Sequence, residues 1–432
     1  MTVTAKIAIF AGILAALTAG CGERDVILSG ERSDIREGIA PFVNQVAAVN
    51  FAGARANADW THRNGGPDHQ ISHPALGAAL TQVMTVNIGE GDSRRARITA
   101  EPVVSGGVIF TLDARARVSA TSTSGASLWA VDVTPGRDGA TDASGGGVTV
   151  AGGRVFVTTG FGELTALDAA TGRELWTQDL DAPGTSAPTV MGDLVYVVAR
   201  NSAAWALDVN TGRTQWQISG TPSIANFSGG AGVAVNGDVA LFPFPSGEVV
   251  ATFPQGGTQR WSTVLSGERN GQAATIISDI SGDPVIANGR AYVGNFGGQL
   301  AALDLADGER IWTAREGAVG PVWPAGNAIF LVNDLNELVR LDAATGELVW
   351  RVALPQTEQS NRKRAKAASY GPILAGGRLI VASSLGQLLH YDPSSGALIG
   401  TTPIAGGAAT NPVVAGGTLY VISKEGQLLA FR

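Results

Sequence analysis

The feature that most constrains this chain is a short signature that keeps returning in a single frame. It stands at residues 166–176 (ALDAATGRELW) and again at 206–216 (ALDVNTGRTQW), 302–312 (ALDLADGERIW) and 340–350 (RLDAATGELVW). In each copy Gly follows Asp by four residues and Trp follows it by eight, as in Asp168/Gly172/Trp176 and Asp208/Gly212/Trp216. Weaker copies keep Gly125 before Trp129, Gly257 before Trp261, and Asp392 with Gly396, where Gly400 takes the place of Trp. Seven copies lie 38 to 51 residues apart. Self-similarity at that period marks an array of supersecondary units, each too small to bury its apolar face alone.

One unit shows what each repeat contains. Residues 188–191 (PTVM) are predicted as an inner strand, 194–199 (LVYVVA) as a second, 203–208 (AAWALD) as a third and 214–218 (TQWQI) as the outer one. Asn210, Thr211 and Gly212 form the last tight turn, where Gly supplies a positive φ at little cost. Four antiparallel strands per repeat make the blade of a β-propeller. Radial stacking buries both faces of a blade, which suits the apolar middle strands, and each Trp is expected as a wedge between neighbouring blades.

The two ends of the chain carry complementary fragments. Residues 80–89 (LTQVMTVNIG) look like an outer strand without its blade, while 412–432 form a blade that stops where Asp, Gly and Trp should follow. The expected fold is therefore all-β: an eight-bladed propeller of four-stranded antiparallel blades, closed by an N-terminal strand pairing with the C-terminal blade. Closure of that kind removes an exposed sheet edge.

Composition narrows the function more than the fold. A net charge of −7 gives the whole chain the wrong sign for a nucleic-acid partner. His62, His69 and His73 fall within a stretch of loop composition, and their spacing matches no standard metal site, so they are expected on a surface loop. His390, inside a strand, is expected to be structural rather than a general base. No catalytic, cofactor-binding or metal-binding residue is assigned.

The lone cysteine, Cys21, stands after Lys6, an apolar run at 7–17 and the small residues Thr18, Ala19 and Gly20. That run is too short to span a bilayer as a helix, which needs about 20 apolar residues, and has the layout of a secretory signal. The stretch LTAGC resembles a bacterial lipobox, which implies that Cys21 is lipidated and begins the mature chain. Gly22 after it favours the outer membrane by the same resemblance. Residues 22–58 lack the repeat and read as a flexible tether, since Gly38 and Pro41 oppose a continuous helix. The expected divisions are 1–20 (signal), 21–58 (anchor and tether) and 59–432 (propeller).

The signature itself resembles the tryptophan-docking motif of the pyrroloquinoline quinone enzymes. That resemblance implies a fold and not an activity. Those enzymes hold quinone and calcium at the centre of the ring and often carry adjacent cysteines, which this chain lacks. A quinone-dependent or ligand-binding periplasmic propeller is the alternative reading.

With a lipobox, a tether and eight blades, the chain resembles the BamB family of outer-membrane lipoproteins, part of the machinery that assembles β-barrels. The resemblance implies a non-enzymatic scaffold on the periplasmic face that binds the periplasmic (POTRA) domains of BamA through interblade loops, with other lipoproteins of the complex as further possible neighbours. Two stretches are similar to those loops. In 221–232 (TPSIANFSGGAG), Ile224 stands at an apolar position and Asn226 and Phe227 replace an apolar–basic pair. In 278–284 (SDISGDP), Asp279 matches an acidic position and Ser281 falls on a second one. Apolar side chains on a rigid ring bury area with little ordering cost, and a neighbouring carboxylate can set register. Two further insertions interrupt the repeat, at 136–147 and at 356–370, the latter with Arg362, Lys363, Arg364 and Lys366 as a basic run expected to be solvated.

Overall fold

Every repeat folds into a four-stranded antiparallel sheet, and the signature explains how successive sheets join. The structure is a computed structural model that describes residues 42–184, 186–223, 229–267, 279–360 and 363–432, with the backbone alone for 358–360 and 363–366. Among these residues eight such sheets form the ring, all within the unit Asn44–Arg432. The innermost strands of blades 1 to 8 are, in order, Val103–Ser105, Gly146–Ala151, Thr189–Met191, Ala234–Val235, Gly282–Ala287, Trp323–Ala325, Ser369–Ala375 and Val413–Ala415. The unit at 188–218 has its strands at Thr189–Met191, Leu194–Val198, Ala203–Asp208 and Thr214–Ser219, within a residue of expectation.

The corner between third and fourth strands is built by the signature. In blade 3 the Asp208 carboxylate accepts the backbone N–H groups of Asn210 (3.0 Å) and Thr211 (2.8 Å) and the Thr211 hydroxyl (2.8 Å). Gly212 then turns the chain at φ +71°. The tryptophan of the preceding blade lies on that glycine: a Cβ on Gly212 would come within 2.5 Å of the Trp176 ring. Trp176 Nε1 also donates to Val209 O at 3.2 Å, which crosses the seam between blades 2 and 3. The same bond links Trp129 to Ala169, Trp216 to Pro254, Trp261 to Leu305, Trp312 to Ala343 and Trp350 to Pro393. The core is correspondingly divided into interblade seams, such as Phe156, Leu164, Trp176, Val195 and Trp205 between blades 2 and 3.

Departures from the signature are filled locally. Gly400, where Trp is expected, pairs across the sheet with His390. That histidine is buried, with Nδ1 accepting from Arg378 Nε at 3.1 Å and Nε2 3.0 Å from Thr402 Oγ1, as a structural role requires. The ring closes as expected: Gln82–Asn87 pairs antiparallel with Gln427–Phe431 as the outer strand of blade 8. Met84, opposite Ala430, takes the place of the tryptophan, and its side chain meets the blade 1 corner at Gly125.

Two expectations about the N-terminal segment change. From Asn44 onward the supposed tether is bound to the propeller. Gln45 N donates to Val349 O (2.9 Å), Ala47 N donates to Ser394 O (3.1 Å), and the buried Arg340 donates to the carbonyls of Ala47 and Ala48. The next residues do not form a surface loop but plug the ring. Their backbones bond to the inner strands or to the turns that follow them: Trp60 to Val104, Thr61 to Val150, Pro67 to Val235, Asp68 to Ile286, Pro74 to Gly376 and Asn57 to Gly416. Blade 3 is met by His62, whose Nε2 lies 3.1 Å from Val190 O, and blade 6 by Trp60 stacked on Trp323 at 6.4 Å. His62, His69 and His73 are all buried. Loop composition misled because the plug, lacking secondary structure of its own, satisfies its backbone on the blades instead.

Candidate interaction face

Interblade loops and inner-hairpin turns lie on opposite faces of a propeller, because strands alternate in direction. The plug sits at the hairpin-turn end of the inner strands. Three residues before the plug-bound positions of blades 1 to 5, and five before Gly376 and Gly416, the chain places a ring of residues nearer the interblade loops: Glu101, Gly147, Ala187, Gly232, Asp283, Gly371 and Asn411. The ring is narrow: a Cβ on Gly147 would come within 2.3 Å of Ala187. Polar side chains enter it from Glu101, Asp283 and Asn411, and Arg63 of the plug meets them.

Arg63 Nε lies 2.9 Å from Asp283 Oδ2 and 3.4 Å from Glu101 Oε1, and Nη1 donates to Gly230 O at 3.2 Å. Asp283 Oδ1 accepts the N–H of Gly232 at 2.6 Å. Asn411 Nδ2 donates to Glu101 Oε1 (2.6 Å), while its Oδ1 accepts the Gly371 N–H (2.5 Å). The Asp283 side chain is 0% exposed and that of Glu101 6%. Burial alone would lower the Arg63 pKa, but Asp283 and Glu101 more than offset it, so it rises. Burial raises the Glu101 carboxyl against the opposing pull of Arg63. Burial lowers the His69 imidazole, whose Nδ1 lies 2.8 Å from Pro284 O, although Asp283 is near.

This network joins the two loops singled out in the sequence, because Gly230 and Gly232 end one and Asp283 lies in the other. Ile224, Asn226 and Phe227 lie outside the described residues. Asp279 and Ser281 are described and buried, 4% and 8% exposed. Phe296 N donates to Asp279 O (3.1 Å), and the Ser281 hydroxyl donates to Ala318 O (2.5 Å), so Ser281 ties its loop to the approach of blade 6. Both residues are thus buried rather than presented to solvent. Cys21 and Arg362 also lie outside the described residues. The insertion at 356–370 forms a hairpin, Thr357–Ser360 with Lys363–Lys366. In the insertion at 136–147, Arg137 reaches Glu163 at 3.2 Å.

Arg63, Glu101, Asp283 and Asn411 were not assigned from the sequence, although a signal was there. Proline recurs at or near the opening of inner strands, at Pro102, Pro188, Pro284, Pro372 and Pro412, and the residue before it is a member of the ring of positions named above. Polar residues at that position are Glu101, Asp283 and Asn411.

Elsewhere, a cleft of about 600 Å³ lies between blades 4 and 5 on the corner face. There Phe253, 51% exposed, stands where five other corners have Asp, with the Arg260 guanidinium 5.0 Å from its ring centroid. Among the described residues no group of three or more His, Cys, Asp or Glu side chains could hold a metal ion, and no helix is long and apolar enough to cross a membrane.

Comparison with known proteins agrees with this architecture. The family model described as outer membrane protein assembly factor BamB matches residues 114–352 and 336–432. The protein of that name from Shewanella oneidensis is 27% identical over 332 residues, covering 73% of this chain and 79% of the relative. An uncharacterized protein of Rickettsia prowazekii is 25% identical over 280 residues, 64% of this chain and 66% of its own. Among solved structures, BamB of Moraxella catarrhalis superposes with a TM-score of 0.68 at 20% identity, over 82% of this chain and all of that one. The quinohemoprotein alcohol dehydrogenase of Comamonas testosteroni shares the fold at 0.65 and 16% identity, over 88% of this chain and 81% of its own. The signature repeats, the eight closed blades and the family match together place this chain in the family of the outer membrane protein assembly factor BamB.

Proposed function

We propose that the chain is a non-enzymatic scaffold subunit of the machinery that assembles outer-membrane β-barrel proteins. It is anchored through Cys21 in the outer membrane and faces the periplasm. Its interblade loops at 221–232 and 278–284 bind the periplasmic domains of BamA. Ile224, Asn226 and Phe227 supply the contact surface, while Asp279 and Ser281 shape the adjoining loop.

The observation that carries this reading is that one buried network, Arg63 with Asp283 and Gly232, ties both loops to the same rigid ring. Fixing the described ends of these loops, at Gly230, Gly232 and Asp283, lowers the ordering cost of binding, so even a modest apolar contact yields useful affinity. The relatives named as outer membrane protein assembly factors support the setting. The rival reading, a quinone-dependent propeller, meets a physical obstacle. The centre of the ring, where the resemblance would put the quinone, is filled by the plug, with Trp60 1% exposed.

Co-purification of the native protein with outer-membrane proteins decides between the two. Recovery of BamA, reduced by Ile224→Glu while the ring remains folded, is the expected result. Quinone and calcium retained without BamA would reject the scaffold.

A further inference from the structure

We infer that Arg63, in the N-terminal plug, is the positioning residue of this interaction face: it holds the loop entering blade 4 and the loop entering blade 5 in one fixed relation. The inference rests on the scaffold reading, but its first consequence is independent of any partner.

The geometry leaves Arg63 without a substitute in this network. Its guanidinium reaches from the plug to three separate places: Glu101 before blade 1, Gly230 in the first loop and Asp283 in the second. Asp283 passes the constraint on by accepting the Gly232 N–H at 2.6 Å. Glu101 extends it to blades 7 and 8 through Asn411 and Gly371. The guanidinium sets its charge beside both carboxylates through Nε while Nη1 donates to the Gly230 carbonyl, an arrangement that the point charge of an ammonium does not reproduce. Nor can neighbouring residues grow to take over, because the ring here is lined by Gly147, Ala187, Gly232 and Gly371, with no room for larger side chains at Gly147. Removing the cation leaves Asp283 and Glu101 buried without it. They then take up protons or draw in water, and Asp283 holds the loop at Gly232 less firmly, because a neutral or hydrated carboxyl is a weaker acceptor than a buried carboxylate. The plug, which reads in sequence as the end of a linker, thereby becomes part of the binding surface without touching the partner.

Two measurements on the full-length protein test this. In Arg63→Ala, hydrogen exchange at the Gly232 amide is expected to accelerate at least tenfold, while amides of the Trp corners far from the network, such as Gly346, keep their protection. Binding of purified BamA periplasmic domains is expected to weaken about tenfold or more. Arg63→Lys, which keeps the charge opposite Asp283 but loses the fork, should recover part of the affinity. If Arg63→Ala does not fold, Arg63→Lys carries the test, with a several-fold loss expected.

A general loss of stability is distinguished by Gly289→Ala, a destabilising change outside the network, which should leave the affinity unaltered. The inference is overturned if Gly232 exchange and affinity are both unchanged in the folded Arg63 variant, or if Gly289→Ala weakens binding equally. Failure of the wild-type chain to bind BamA domains would count against the scaffold reading instead, and the Gly232 measurement would still decide the role of Arg63.

Discussion

Two glycines with nearly the same backbone separate strain from packing at the blade corners. Gly346 has φ +73° and Gly289 φ +74°, so alanine at either position meets the same left-handed penalty. That penalty is about 1–2 kcal/mol, offset in both by roughly 0.4–1 kcal/mol from a less mobile unfolded chain. Only the surroundings differ. A Cβ on Gly289 meets nothing within 4 Å, while on Gly346 it comes 2.5 Å from Cε3 of Trp312. Trp312 has little room to move aside, because it is 7% exposed in the seam and its Nε1 is bonded to Ala343 O at 3.1 Å. Overpacking of that kind costs about 1–3 kcal/mol. Gly346→Ala should therefore lose that much more stability than Gly289→Ala.

Urea unfolding followed by tryptophan fluorescence, with equal m values, reads the difference as a shift in midpoint. A double-mutant cycle locates its source: with Trp312→Ala in place, Gly346→Ala should cost no more than Gly289→Ala. Equal midpoints for the two single variants would mean that the ring does not dock on the glycine, and the account of the signature would fail.

The remaining predictions concern acid, ring closure and the seam bonds. Burial, with His69 nearby, pushes the His62 imidazole down from 6.5 to about 3. The unfolded chain therefore binds a proton between those values that the folded one refuses, so stability falls as pH drops below 6.5. By this group alone the loss is about 2 kcal/mol at pH 5, and His390, lowered to about 4 by burial and Arg378, acts in the same direction. Melting temperatures across pH 7.5 to 4.5 should fall less steeply in His62→Gln; identical slopes would refute the assignment. Val86→Pro breaks the pairing of Gln82–Asn87 with Gln427–Phe431 while leaving the plug in place, and so bares the edge of Gln427–Phe431; light scattering should show self-association, whereas a stable monomer would contradict closure by that strand. Trp312→Phe keeps an aromatic wedge but loses the indole bond. Because Ala343 O also accepts from Arg290 at 2.6 Å, the carbonyl keeps a partner and the cost should stay near 1 kcal/mol, far below the roughly 3–5 kcal/mol of Trp312→Ala; equal losses would show that packing is not the main term.

The architecture was legible in the sequence because it is made of local rules repeated. Asp caps a turn, Gly provides a positive φ and Trp covers the next corner, each at a fixed separation along the chain, so period and register survive even where Gly400 or Met84 replaces Trp. The closing strand was legible for the same reason, as an outer-strand pattern at 80–89 without its blade.

What lies at the centre of the ring was not. Arg63, Glu101, Asp283 and Asn411 are far apart in sequence, and the proline after the last three marks equivalent positions without showing that they meet. The histidines at 62, 69 and 73 likewise carry no periodicity to announce their burial. Only the closed ring brings eight inner strands to one axis, and only there does an irregular segment find enough donors and acceptors to be buried. Repetition along the chain determined the blades; convergence across the chain, which a sequence does not display, decided what fills their centre.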